Sequence, residues 1–159
     1  MHGMSSSADR RAMDLAFLAA EAAAQAREAP IGAVVMCGGA VLSVAHNLTE
    51  SAADPAGHAE VLALRAAAAK LGAPRLDDCD LFVTLEPCAM CAGAIEHARI
   101  RRLVFAGYDP KGGGVDHGAR VFQRQTCRHR PDVVGGVREA EAARLLQAFF
   151  RSLRNSEQD

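Results

Sequence analysis

Two motifs, His58-Ala59-Glu60 and Pro87-Cys88-Ala89-Met90-Cys91, constrain this chain more than any other part of it. One imidazole and two thiolates suit Zn²⁺, and three protein ligands leave a fourth tetrahedral position for water, whereas a structural zinc site fills all four. A fold that honours both motifs must bring two distant segments to one point. The Cys-x-x-Cys pair belongs at the start of a helix, since Pro87 suits that position and a helix N-terminus favours thiolates. Small residues and good helix formers follow from Ala92 to Ala98, which predicts a helix over about 88–98. His58 and Glu60 open a second apolar run, Val61 to Ala69, that also reads as helix. Two helix starts therefore converge on one metal.

Glu60 lies two residues from His58, about 200° around a helix of ~3.6 residues per turn, so it is not expected beside His58 as a ligand. A carboxylate so placed suits proton transfer to and from a water at the fourth position. Taken singly, a Cys-x-x-Cys pair also fits a redox dithiol or a structural metal, and a His-x-Glu fits an ordinary exposed helix. Taken together they point to an open, catalytic zinc site with one ion per subunit, held by His58, Cys88 and Cys91. Cys37, Cys79 and Cys127 lack such spacing and are expected as reduced thiols, buried or partly buried.

The chain of 159 residues is expected to form a single domain, 1–159, large enough to bury a core without disulfides. No apolar run reaches the length of a membrane span, Met1 to Arg11 is too polar for a signal peptide, and five cysteines fit a reducing compartment. A cytoplasmic protein with no membrane partner is the expectation. Helical spacing runs from about Asp9 to Arg27, and two apolar runs flank Gly38-Gly39 as a hairpin. After the His58 helix come a strand at Leu81–Leu85, the Cys88 helix and a strand at Arg102–Ala106, which implies a parallel crossover. Residues 115–130 carry no clear pattern, and Val137 to Arg154 makes a last amphipathic helix. The order predicts an α/β fold, a three-layer α/β/α sandwich around a mixed five-stranded sheet.

Net charge is −1, but residues 1–80 carry −4 and residues 81–159 carry +3. The stretch 99–130 alone carries +6, so Arg99, Arg101, Arg102, Lys111, Arg120, Arg124, Arg128 and Arg130 are candidates for a phosphate-contacting face. An ordinary solvated surface is the competing reading.

His-x-Glu followed by Pro-Cys-x-x-Cys is the pattern of zinc-dependent nucleobase deaminases. With Leu85-Glu86-Pro87-Cys88-Ala89-Met90-Cys91-Ala92-Gly93-Ala94-Ile95 and Ala98-Arg99-Ile100 in view, the chain resembles the cytidine deaminase-like superfamily. Within it, the chain is most similar to the bacterial tRNA-specific adenosine deaminases. Pro30-Ile31-Gly32-Ala33-Val34-Val35, His46-Asn47, Asp54-Pro55, Asp109-Pro110-Lys111-Gly112-Gly113 and Phe149-Phe150-Arg151 extend the likeness over nearly the whole chain. The resemblance implies a homodimer that converts adenosine to inosine at the wobble position of a tRNA anticodon, usually that of an arginine tRNA. It implies zinc on His58, Cys88 and Cys91, proton transfer by Glu60, and a hydrogen bond from Asn47 to the flipped base. Asp109, Lys111 and Arg151 are the further substrate contacts it suggests. Phe105-Ala106-Gly107-Tyr108-Asp109 departs from the family's usual stretch, so neighbouring-nucleotide preference is not carried over. A free nucleobase or nucleoside deaminase of guanine or cytosine type uses the same machinery and is the alternative. A zinc-stabilised RNA-binding module without catalysis would have no use for Glu60. Pairing is expected through the Cys88 helix, whose Met90, Ala94 and Ile95 are not easily all covered within one small chain.

Overall fold

The computed structural model describes residues 6–157, so the first residues of the polar start read above lie outside the described part. Helix α1 (Ser7–Gln25) begins two residues before the predicted position, because the Ser6 hydroxyl accepts the Asp9 amide at 3.0 Å and caps it. Its stripe of Ala12, Met13, Ala16, Phe17, Ala20 and Ala23 is buried. Strands β1 (Gly32–Cys37) and β2 (Ala40–His46) pair antiparallel across Gly38 and Gly39, whose φ of 58° and 82° are those a two-residue hairpin needs. Then follow α2 (Ala59–Leu71), β3 (Cys79–Leu85), α3 (Ala89–Ala98), β4 (Arg102–Gly107), β5 (Asp132–Val134) and α4 (Glu139–Glu157).

The sheet runs β2-β1-β3-β4-β5, with β1 antiparallel to β2 and β3, and β3, β4 and β5 parallel. It is the mixed five-stranded sheet that was expected. Alternation along the strands sends Ala33, Val35, Leu81, Val83, Leu103 and Phe105 to one face, where α2 and α3 cover them. Val34, Met36, Phe82, Val104 and Ala106 go to the other, under α1 and Ala142 of α4. Because both faces are covered, the central strands read as continuous apolar runs. Residues 115–130 hold one short 3₁₀ turn, Val121–Gln123, and otherwise lack regular structure; Val121 and Phe122 anchor them in the core. Among the described residues, no helix is long and apolar enough to cross a membrane.

The parallel pair β3 and β4 gives the sheet two distinct ends. Leu85 and Gly107 are partners at one end, where α3 begins; Asp80 and Arg102 are partners at the other. At that second end Arg102 donates to Asp9 of α1 at 2.6 and 3.0 Å and to Asp80 at 2.9 and 3.2 Å, while Arg101 also grips Asp80. Asp9 and Asp80 are both buried. A buried carboxylate tolerates the loss of its guanidinium badly, and without Arg102 Asp9 loses both of these bonds while Asp80 keeps only those from Arg101. Arg102→Ala is expected to lower unfolding free energy by about 3–5 kcal/mol, read as a lower urea midpoint.

Candidate metal centre and its surroundings

His58 is the N-cap of α2 and Cys88 the N-cap of α3, and neither side chain makes a capping hydrogen bond. Both turn instead to a common point. Cys88 Sγ and Cys91 Sγ lie 3.6 and 3.5 Å from His58 Nδ1, and among the described residues these are the three that gather as a possible metal-binding group. A tetrahedral centre about 2.3 Å from sulfur and ~2.0 Å from nitrogen has N···S edges of roughly 3.5 Å, so the three donors are already spaced for zinc. Their protonation fits as well. The Cys88 thiol is pulled down to about 5, chiefly by its hydrogen bond with Cys91, and against the cost of burial. Cys91 is pushed up by the same bond and by burial. A cation among the ligands would favour a second thiolate beside the first.

Glu60 sits in the first turn of α2, 4 % exposed, close enough to Cys91 to share a hydrogen bond, yet outside the three-ligand group. Burial raises its carboxyl to about 7, against the pull of its own backbone amide. Such a group both accepts and releases a proton near neutral pH.

Asn47 follows the last residue of β2, and Leu48 N donates to Gly57 O at 2.9 Å, which closes the loop that ends at His58. Its Oδ1 is buried and without a hydrogen-bond partner among the described residues. A buried amide oxygen left unpaired is costly, so a ligand that donates to it is the natural partner. The closed loop rests on Glu28, a fully buried carboxylate that accepts the amides of Glu50 and Ser51 at 2.8 and 2.7 Å.

Asp109, expected as a substrate contact, uses Oδ1 to accept the amides of Lys111 and Gly112 at 3.2 and 2.9 Å, forming an Asx-type turn. Lys111 and, on α4, Arg151 are exposed. Phe149 is buried and meets the half-exposed Phe150 edge-on, at 5.6 Å between centroids. Of the basic stretch, Arg99 and Arg128 line a cavity of about 290 Å³ with Glu96, His97 and His129, and Lys111, Arg120, Arg124 and Arg130 are exposed. Arg101 and Arg102 are ion-paired at the start of β4, Arg101 with Asp80 and Arg102 with Asp80 and Asp9. Ile95, expected on an outward side of the Cys88 helix, is fully buried in the chain's own core. Met90 is exposed, with Gly93 and Ala94 half-buried beside it. The remaining cysteines are free thiols, Cys79 buried and Cys37 and Cys127 half-buried.

Glu86 went unnoticed as a separate functional residue. It is buried between β3 and the first zinc-type cysteine, and it accepts amides from Asp109, Val115, Asp116 and His117. Although burial opposes ionisation, those amides and His117 hold its carboxyl below the usual range.

The model of the MafB19-like deaminase family matches residues 7–154. A tRNA-specific adenosine deaminase of Agrobacterium fabrum is 48 % identical over 142 residues, covering 89 % of this chain and 93 % of that protein. One from Bacillus subtilis is 42 % identical over 146 residues, covering 92 % and 91 %. A solved chain from work on A-to-I editing by tRNA:A34 deaminases at the wobble position of transfer RNA superimposes with a TM-score of 0.85. It is 47 % identical and covers 86 % of this chain and 99 % of its own.

Proposed function

The chain belongs to the MafB19-like deaminase family, and from that premise we propose a zinc-dependent reaction at His58, Cys88, Cys91 and Glu60. It is an aminohydrolase that converts adenosine to inosine at the wobble position of a tRNA anticodon, as its relatives' names and covering identities support. The observation that carries the reading is Glu60, a buried carboxyl held beside a three-ligand cluster that it does not join.

His58, Cys88 and Cys91 would hold zinc, which when bound supplies Lewis acidity to a water. Glu60 takes one proton as that water's oxygen adds to C6 of the base and passes it to N1, then moves the remaining hydroxyl proton to the amine, so that the C–N bond breaks and ammonia leaves. The flipped base offers a donor to Asn47 Oδ1, which pairs that buried oxygen and orients the ring. Asp109 holds the turn that presents Lys111 to the backbone of the anticodon loop, and Arg151 of α4 adds a second cation.

An arginine tRNA is the proposed substrate. The deciding experiment incubates the purified protein with transcribed arginine tRNA and, separately, with free guanine, cytosine, adenosine and cytidine. Inosine at the wobble position with no ammonia from the free compounds supports the reading; ammonia from guanine or cytosine without inosine in tRNA overturns it.

Affinity for an anticodon stem-loop is expected to fall steeply with salt, by about 0.7 in log K per decade of salt for each single-strand phosphate neutralised. Removing charge at Arg99, Lys111, Arg128 and Arg130 should flatten that slope and leave metal content unchanged. Binding without salt dependence would favour a small substrate.

The active unit is proposed to be a homodimer. Met90, Gly93, Ala94 and His97 fall at helical spacing on the side of α3 left open by the core. Pairing two copies through that stripe places each metal centre near the partner and joins their basic surfaces. Light scattering at micromolar concentration should give twice the chain mass of 16.7 kDa; a value near 16.7 kDa refutes the dimer.

A further inference from the structure

Residues 108–118 run past the metal centre without regular structure, and five of the contacts that hold them converge on one side chain. Glu86 Oε1 accepts Asp109 N at 3.0 Å and faces His117 Nδ1 at 2.8 Å; Oε2 accepts Val115 N, Asp116 N and His117 N at 3.2, 3.0 and 3.1 Å. The Glu86 side chain has no exposure at all, whereas that of His117 is 33 % exposed. The segment it holds lies directly on the start of α3. Gly114 N donates to Pro87 O at 2.8 Å, and a Cβ on Gly114 would come within 2.5 Å of Ala89 N and 2.8 Å of the Cys88 carbonyl carbon. A Cβ on Gly113 would strike Glu86 Oε2. The same segment carries Tyr108, which meets Phe105 edge-on at 5.2 Å and His117 at 6.1 Å, together with Asp109 and Lys111.

We propose that Glu86 is a positioning residue: its carboxylate gathers the amides of 109–117 and fixes that segment as the substrate-facing wall of the site. Both oxygens are used as acceptors, and an amide in this place would turn an NH₂ group on at least one of these N–H donors. The partners lie 23 to 31 positions away in sequence, and they come from a stretch with no helix or strand of its own. The inference about substrate rests on the tRNA reading above; the inference about the wall does not.

The test uses E86Q and, because its side chain is partly exposed and its loss leaves the four amide bonds intact, H117A. In the metal-loaded protein, E86Q is expected to raise KM for an adenosine-bearing anticodon stem-loop at least tenfold. Its kcat at saturation should stay within threefold and its zinc content should be unchanged. Trypsin should cut after Lys111 or Arg120 at least tenfold faster than in the parent protein. H117A should move KM and the tryptic rate in the same direction, by twofold to fivefold. A merely structural role lowers the active fraction, which shows as a fall in kcat at unchanged KM, and that outcome overturns the proposal. Loss of zinc in step with activity also overturns it, since Glu86 would then support the Cys88 ligand. So does an E86Q protein with parental KM and tryptic rate. If E86Q does not fold, parental behaviour of H117A in both measurements overturns the proposal, and the expected shifts sustain it. Should the parent protein fail to deaminate any stem-loop, the tRNA reading falls while the tryptic rates still decide whether Glu86 holds the wall.

Discussion

Glu60→Ala is expected to keep its zinc and its fold while turnover falls by ~10²–10⁴, the range that positioned proton transfer supplies. The carboxyl is outside the three-ligand group, so removing it should leave the donors of His58, Cys88 and Cys91 in place. Nor does its loss strip the core of an ion pair: burial is what raises its pKa, and alanine at this site ends the desolvation cost of a buried charge. Stem-loop affinity measured at equilibrium should therefore stay close to that of the parent. Retention of more than roughly a tenth of parental deamination would remove Glu60 from the acid–base role.

Cys91→Ala produces a loss of a different kind. Cys91 Sγ is one of two sulfurs at 3.5–3.6 Å from His58 Nδ1, and without it only one nitrogen and one sulfur remain for a cation. Two protein ligands do not make a stable zinc site where three or four are the rule. Elemental analysis after dialysis should drop from about one equivalent to under a tenth, and activity should vanish with the metal. Adding zinc in excess should restore neither. Metal retained at half an equivalent or more would mean that another group binds it, and the three-ligand assignment would fail.

How much of this was legible before any fold was known depended on the range over which residues interact. The hairpin at Gly38-Gly39 and the helix starts at His58 and Cys88 are local events, set by backbone conformation and by neighbours within a turn, and the structure has them where the chain predicts. Strand β5, three residues long, is too short to show a pattern, and its place next to β4 follows from pairing, not from its composition. Glu28 and Glu86 read as ordinary surface acids in a sequence, because the amides that surround them come from segments 22 to 31 positions away. The ion pairs of Arg102 are hidden in the sequence for the same reason: Asp9 stands 93 positions from it. Charge counted along a chain cannot distinguish a cation that faces solvent from one already claimed by a distant carboxylate.

The hairpin that opens the sheet has a practical use. Cys37 pairs with Cys79 at the start of β3, so the turn at Gly38-Gly39 points away from the end where α3 and the metal ligands lie. Among the described residues, nothing lies within 4 Å of where a Cβ on either glycine would stand. An exposed turn with empty space around it accepts inserted sequence with little effect on the rest of a domain. A short peptide tag grafted between those glycines would let the protein be anchored to a sensor surface with its catalytic end facing the bulk solution, where an RNA as large as a whole tRNA has room to approach.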